Sequence, residues 1–524
     1  MDVLKSPEFA EYVKNTIDRY HVPGVAIAVV QGEHIESAGF GKASLDPPED
    51  CTPDTLFDIA STSKSLTAAS VALLVDDNEK HPQIQYDARM ADLLPGDFVM
   101  PMDEHEDVTL EDILSHRTGM APNEYSLMGP NAAQPDDAQS VTRSLRHLVT
   151  IAPNRSEYLY CNLMYTAASY LVEQKSGLSF SDFLHANFFQ PLRMKSTYLQ
   201  PHAARSDGLS HLLATGYFWN KRGNKYTPIP CHDSPEAQGA GRIISSANDY
   251  IRWVRALMNC NDPVTKSMYE GMIKKRISQS PPGESGDDEN DHEPPQAFAG
   301  AGVEILQYNG HVMVSHDGLD LGFGATHFFM PEQKFGAVIF GNSNNASNVA
   351  RMIKYKLADW VTAGIEKRYS SLLEGVSSSE SDDEEDEADE EDEEDEDDFT
   401  DLENEMIDEL CADGGVRSDQ TMALSAYTGE YWHEGYKGIK VTQKQGRLFV
   451  DARDRSVRFT FEFMHICDQR KYIAYMVEMS EQDVRAPVKA EFVLEGEKAV
   501  QLGLTLEATW DGYIWFKRVD AADV

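Results

Sequence analysis

The 524-residue sequence predicts an α+β protein: an antiparallel sheet flanked by helices, an all-helical lobe inserted in its middle, and a small C-terminal β-barrel or sandwich. Three observations lead there. Helical periodicity opens and closes the long N-terminal part, with strand patterns just inside it. A helical block separates those two sets of strands. After an acidic tract, seven short strand-like segments recur at regular spacing.

The elements follow in chain order. Phe9 to Tyr20 carries an amphipathic helical pattern, broken at Val22-Pro23-Gly24. Val25 to Val30 reads as a buried strand, Gln31-Gly32-Glu33 as a tight turn, and Ile35 to Phe40 as the returning strand. Leu66 to Val75 has one-turn apolar spacing without Gly or Pro, the mark of a buried helix. Thr109 stands near the cap of a short helix to Leu114, followed by the turn Ser115 to Gly119. Ala121 to Ser140, rich in Pro, Asn, Gly and Asp, is expected to be a long loop and a binding wall. Helices are expected over Leu163 to Lys175, Ser179 to Phe189 and Tyr250 to Met258. Lys274 to Gln296 is polar and reads as a flexible insertion. Strands return at Gly302–Gln307, His311–Ser315, Gly324–Met330 and Phe335–Phe340, before a helix from Asn344 to Thr362. Three domains result: residues 1–372, an acidic disordered linker over 373–420, and a barrel over 421–524.

The formal net charge is −42, from 88 acidic and 46 basic residues. It is uneven. Between Glu380 and Glu409 there are 22 Asp and Glu and no Lys or Arg, so about half the excess sits in one tract. Such a tract buries too little apolar surface to order itself, and it offers a docking tail to a basic partner. A phosphate backbone is repelled by this balance, which excludes nucleic-acid binding. No run reaches the roughly 18 apolar residues of a membrane span. The six cysteines are scattered, with neither a disulfide framework nor a metal-site spacing, and no metal or cofactor is expected. The first residues lack the basic flank and apolar core of a signal peptide, so the expectation is a cytoplasmic protein.

The chain is organised around Phe57 to Thr67. Ser61 precedes Lys64 by three residues, which on a helix puts hydroxyl and amine on one face. A serine at a helix start is also an ordinary cap. The alternative is an activated nucleophile: a hydroxyl is a weak nucleophile until a neighbouring, partly desolvated lysine takes its proton. No other lysine in the chain has a serine three residues before it. Two further motifs follow in order, Tyr160-x-Asn162 and His316-Asp317-Gly318. His116 is either a base or a structural element of its turn, the latter favoured. Cys161 is read as a buried spacer.

This order and spacing resemble the serine β-lactamase and penicillin-binding-protein superfamily, in its class C β-lactamase, D-aminopeptidase and family VIII esterase branch (peptidase S12-like). The flanks Leu114-Ser115-His116-Arg117-Thr118-Gly119, Gly241-Arg242-Ile243-Ile244-Ser245 and Gly322-Phe323-Gly324 are similar to that branch as well. The resemblance spans roughly residues 8–365. The last hundred residues look like the small lipocalin-like barrel appended to some members. The resemblance implies a β-lactamase-like fold, with Ser61 as nucleophile and Lys64 and Tyr160 sharing general base and acid work. It implies Asn162 and His316 as substrate-binding residues. Gly318 would sit at the oxyanion site, with the backbone N–H groups of Ser61 and Leu319 as its donors.

Two positions depart from the family pattern. His316 stands where lactamases carry Lys, and Asp317 where a small hydroxylic residue is usual. A nearby Asp would repel an anionic substrate by a few kcal/mol. The expected substrates are therefore neutral or cationic esters, lactones, amides or short peptides rather than penicillins. The leading reading is a serine hydrolase working through a Ser61 acyl-enzyme. An acyltransferase of secondary metabolism using the same site, and a non-catalytic partner-binding protein, are the alternatives.

Overall fold

The computed structural model describes residues 3–221, 223–279, 296–362, 402–411, 417–479 and 484–519. They fall into two compact units. The first draws on Met1–Met120, Asp137–Arg146 and Thr150–Ser377, and the second on Ala121–Asp136, His147–Val149 and Ser378–Val524.

The first unit begins with α1 (Pro7–Arg19). Ser6 Oγ accepts the Phe9 N–H at 3.0 Å, and Pro7 occupies the first helical turn. Phe9, Val13 and Ile17, four residues apart, form its buried stripe. The hairpin β1 (Gly24–Gln31) and β2 (His34–Leu45) follows, then the short β3 (Pro48–Asp50) and β4 (Phe57–Asp58). The helical lobe contains α2 (Lys64–Asp76), α3 (Met90–Leu93), α4 (Leu110–Leu114), α5 (Ala138–Ser144), α6 (Asn162–Ser176) and α7 (Phe180–Leu184). The chain continues through β5 (Tyr198–Leu199), α8 (Pro201–Ser206), the hairpin β6 (Gly216–Asn220) and β7 (Lys225–Ile229), β8 (Ile243–Ser245), α9 (Ala247–Asn259) and α10 (Lys266–Met272). It closes with β9 (Ile277–Ser278), β10 (Ala297–Ala299), β11 (Glu304–Tyr308), β12 (His311–Asp320), β13 (Phe323–Met330), β14 (Phe335–Gly341) and α11 (Ala346–Thr362).

Nine of these strands form one antiparallel sheet, ordered β3-β2-β1-β14-β13-β12-β11-β10-β9. The first and last long strands pair at its centre, with Ile27 opposite Ile339. Every residue of β1 except Gln31 is buried, because both faces of the sheet are covered. Val25, Ile27 and Val29 join Ile339, Ile353 and Leu357 in the core under α1 and α11. The alternate residues of β1 face α9. Truncating Ile353 to Ala in such a core costs about 2–5 kcal/mol. A separate three-stranded sheet, β4-β8-β5, carries the chain into the Ser61 turn.

The expected α+β architecture is present. Some local expectations change. The helix expected to Phe189 ends at Leu184 and continues as a wider π turn over His185–Phe189. The insertion expected from Lys274 begins later, since Ile277 and Ser278 pair with Ala299 and Phe298 at the sheet edge. Its remainder, 280–295, lies outside the described residues.

The second unit contains a closed eight-stranded antiparallel barrel: β15 (Gly429–His433), β16 (Lys437–Lys444), β17 (Arg447–Ala452), β18 (Phe459–Cys467), β19 (Lys471–Glu478), β20 (Ala486–Glu495), β21 (Lys498–Leu504) and β22 (Ile514–Val519). Aromatic rings fill it. Tyr427, Tyr472 and Phe463 pack around Phe492 with ring centroids 5.1, 5.3 and 6.0 Å away. The expected acidic linker lies mostly outside the described residues. Within it, residues 402–410 are helical, with Ile407, Leu410 and Cys411 packed on Ile466, Cys467 and Ile473. The acidic composition hid that apolar face. Cys411 and Cys467 form a disulfide, so two of the six cysteines are paired after all.

The loop expected over Ala121 to Ser140 divides. Residues 138–144 are α5, while Ala121–Asp136 groups with the barrel. Asn123, at φ 52°, fastens it. Its Nδ2 donates to Ala121 O and Val149 O at 2.7 and 3.1 Å, and its Oδ1 lies 2.7 Å from Tyr436 Oη. Tyr436 Oη and the Asn123 N–H both reach the buried Glu507, at 2.8 and 3.1 Å. Burial raises the Glu507 pKa.

Candidate active site

Ser61 lies in a single 3₁₀ turn, Ala60–Ser63, and α2 proper starts at Lys64. Ala60 holds φ +46°, a left-handed conformation that L residues adopt at a cost. The turn therefore presents the Ser61 side chain, which is half-buried, rather than merging it into the helix. Lys64 is fully buried. Its Nζ donates to Ser61 Oγ at 2.9 Å and to the carbonyl of Ala240 at 2.7 Å. It also lies over the Tyr160 and Tyr165 rings, 4.9 and 5.5 Å from their centroids.

Tyr160 comes from the segment just before α6, and its hydroxyl donates to Ser61 Oγ at 2.9 Å. His116 holds that segment. It sits at φ +56° in the turn after α4 and its ring stacks on Tyr160, centroids 4.3 Å apart. His116 O accepts the Leu159 N–H at 2.8 Å, and His116 Nδ1 accepts the Cys161 N–H at 3.0 Å. The residues on both sides of Tyr160 are thus tied to one residue, Leu159 to its carbonyl and Cys161 to its ring. Burial, then the Lys64 charge, hold the His116 pKa well below its ordinary value. It is a neutral imidazole with Nδ1 used as an acceptor, which fits the structural reading of this residue. Cys161 is buried, and Asn162 is the first residue of α6.

The third segment is the end of β12. Strand β11 pairs with it only as far as Ser315, so His316 to Asp320 run on past that partner. The Ser61 turn packs against this run at Gly318. A Cβ on Gly318 would lie 2.9 Å from Ile59 O and 3.1 Å from the Ser61 nitrogen, which only glycine avoids. Leu319 is the next residue, with its side chain 60% exposed. His316 is buried. Burial first, then Lys64, push its pKa well below the ordinary value, and it too is neutral. Its Nδ1 has no hydrogen-bond partner among the described residues. His327, opposite it on β13, is buried, and its pKa is lowered to about 3 by burial.

Asp317 corrects the expectation about substrate charge. Successive strand residues point to opposite faces. His316 and Gly318 lie on the Ser61 side, while Asp317 turns toward α11. There Lys354 Nζ meets both carboxylate oxygens at 2.9 and 2.7 Å, and the Thr326 hydroxyl donates to Oδ1. A neutralised carboxylate on the far face does not repel a substrate anion. The argument against anionic substrates therefore falls.

Sequence reasoning missed the Ala240 carbonyl, because a backbone acceptor has no residue signature; only the Gly239-Ala240-Gly241 turn hinted at it. It also missed Tyr165 beneath Lys64. Among the described residues, no group of three His, Cys, Asp or Glu is placed to hold a metal. No helix among them is long and apolar enough to cross a membrane.

The chain is similar to known proteins. Residues 9–359 match the Beta-lactamase family. The chain belongs to that family. Residues 415–518 match a domain of unknown function, DUF3471. The chain is 32% identical to "Unguisins hydrolase ungD'" of Aspergillus campestris (strain IBT 28561), over 98% of this chain and 91% of that protein. It is 25% identical to a D-aminopeptidase of Brucella canis (strain ATCC 23365 / NCTC 10854 / RM-666), over 67% of this chain and 62% of that protein. Its fold is that of the octameric penicillin-binding protein homologue from Pyrococcus abyssi (TM-score 0.57, 18% identity, 99% of this chain and all of that one).

Proposed function

We propose that this protein is a serine hydrolase that opens ester, lactone or amide bonds through an acyl-enzyme on Ser61. One observation carries the reading: Ser61 Oγ stands 2.9 Å from both Lys64 Nζ and the Tyr160 hydroxyl. In acylation, Ser61 Oγ attacks the acyl carbon and its proton passes to this pair. The carbonyl oxygen, now negative, lies against the backbone N–H groups of Ser61 and Leu319, donors that commonly lower such barriers by about 3 kcal/mol each. The intermediate collapses as the leaving amine or alcohol takes a proton from Tyr160. Water then attacks the acyl-enzyme with the same pair as base, and the acid departs.

Lys64 suits this work because it is fully buried and its head reaches the Ser61 hydroxyl directly, beside the Ala240 carbonyl and the Tyr160 ring face. Asn162 and His316 are the residues proposed to bind substrate, the neutral His316 offering a hydrogen bond where a Lys would offer a charge. The names of the relatives, a hydrolase of unguisins and a D-aminopeptidase, support amide bonds of small peptides as the natural target, with esters as convenient surrogates. The test is Ser61→Ala on p-nitrophenyl acetate. Turnover at the wild-type rate would remove Ser61 from the reaction.

A further inference from the structure

The Ser61 turn and the end of β12 come from segments over 250 residues apart, yet the two N–H groups assigned to the oxyanion must keep one spacing. We propose that Arg242 sets that spacing: it is a positioning residue for the oxyanion site, an inference that rests on the serine-hydrolase reading.

The guanidinium spans both segments. Its Nη1 lies 3.2 Å from Asp58 Oδ2 and 2.7 Å from Asp320 Oδ2, and its Nη2 donates to Asp320 Oδ1 at 3.2 Å. Each carboxylate passes the restraint to the backbone beside a donor. Asp58 Oδ1 accepts the Ala60 N–H at 2.9 Å, one residue before Ser61. Asp320 follows Leu319 directly, and its Oδ1 accepts the Leu321 N–H at 2.7 Å. A planar fork with fixed donor angles holds two carboxylates at a set distance, which a lysine cannot do.

The turn that carries Arg242 touches the third member of the site as well. Two residues earlier, the Ala240 carbonyl accepts the Lys64 amine. One residue later, β8 begins, and its Ile243 carbonyl accepts the Ile59 N–H at 3.0 Å while Ile244 pairs with Asp58. A Cβ on Gly241 would still be 3.7 Å from Ala60, so the turn sits directly over the residue before the nucleophile. Arg242 itself holds φ +69°, where glycine is at ease and arginine is strained. A buried ion pair is a weak source of stability, because desolvation offsets the attraction. Asp58 shows that cost: its burial, only partly opposed by Arg242, raises its pKa to about 6. A strained residue in a costly buried cluster, between the two oxyanion segments, is better explained by geometry it enforces than by stability it adds.

The experiment uses the full chain with p-nitrophenyl acetate and a fluorophosphonate probe. Arg242→Gly relieves the backbone and removes the fork. Its kcat is expected to fall about 100-fold with KM nearly unchanged, the size of effect seen when an oxyanion donor is lost. Millimolar guanidinium is expected to restore part of that loss, and Arg242→Lys to restore less. Asp320→Asn, which leaves the Asp58 contact intact, is expected to lose about 10-fold by the same route and serves if the glycine variant folds poorly. Wild-type kcat in both variants overturns the proposal. So does a loss of kcat that tracks a loss of folded protein and does not respond to guanidinium. The two readings separate cleanly: a wild-type chain that takes no label at Ser61 defeats the hydrolase reading, whereas equal labelling rates in wild type and Arg242→Gly defeat this one alone.

Discussion

The two units bury polar groups for different ends. In the first, Lys64, His116, His316 and Asp58 are buried close to Ser61, and the half-buried Arg242 pairs with Asp58 across 184 residues. In the second, the barrel interior is apolar, aliphatic side chains packed with aromatic rings, and its buried polar cluster of Asn123, Tyr436 and Glu507 fastens the segments Ala121–Asp136 and His147–Val149. The first arrangement gathers around the Ser61 hydroxyl, the atom proposed to react. The second places nothing reactive and secures chain. Polar burial alone therefore does not mark a site; convergence on a nucleophile does.

The largest effects should come from the first cluster. Tyr160→Phe keeps the ring against His116 and removes only the hydroxyl, and Lys64→Met keeps the buried stem. Each is expected to lower kcat on p-nitrophenyl acetate by about 10²–10⁴-fold, the range of general acid–base groups, with folded protein retained. A drop of less than threefold in both would mean that polar burial near Ser61 is structural, as it is in the barrel.

The second cluster should respond in the opposite way. Tyr436→Phe leaves Asn123 and Glu507 without a shared buried partner, and a stability loss of about 1–3 kcal/mol is expected. Thermal unfolding should show it, with kcat unchanged. If kcat falls instead while the melting curve stays put, the contrast between the units is wrong.

The smallest effect concerns His327, the sheet histidine that is given no part in the chemistry. His327 has a folded pKa of about 3 against an unfolded value near 6.5, so the unfolded chain takes up the proton first. Its contribution to stability is fully present above pH 6.5 and is lost as pH falls toward 3, at most a few kcal/mol in all. His327→Phe should flatten the decline of stability across that window, measured by denaturant unfolding at several pH values. An unchanged slope would show that His327 is not the group responsible.

Much of this was legible in the chain. The motifs Ser61-x-x-Lys64, Tyr160-x-Asn162 and His316-Asp317-Gly318 named the side chains proposed for the chemistry, and Ser61, Lys64 and Tyr160 do meet. The alternation of β1 and the cap at Thr109, whose N–H and hydroxyl both reach Asp112, were readable from local rules. What was not readable depends on direction and distance. Asp317 was assigned to the substrate side because the motif names three adjacent residues, although a strand must turn the middle one away. Ala240 acts through a carbonyl, which every residue owns. Arg242 looked like one residue of a flanking stretch until Asp58 and Asp320 were seen on either side of it. The apolar face of 402–410 was masked by the acids around it, and the pairing of Cys411 with Cys467 spans 56 residues that no spacing rule covers.

The most direct measurement of the central claim is intact-mass analysis of the protein after brief exposure to an activated ester or a fluorophosphonate, with the adduct then mapped by peptide. The account predicts a single added acyl or phosphonyl group on Ser61, absent in Ser61→Ala and formed much more slowly in Tyr160→Phe. An adduct on any other residue, or none while the substrate is still consumed, would contradict it.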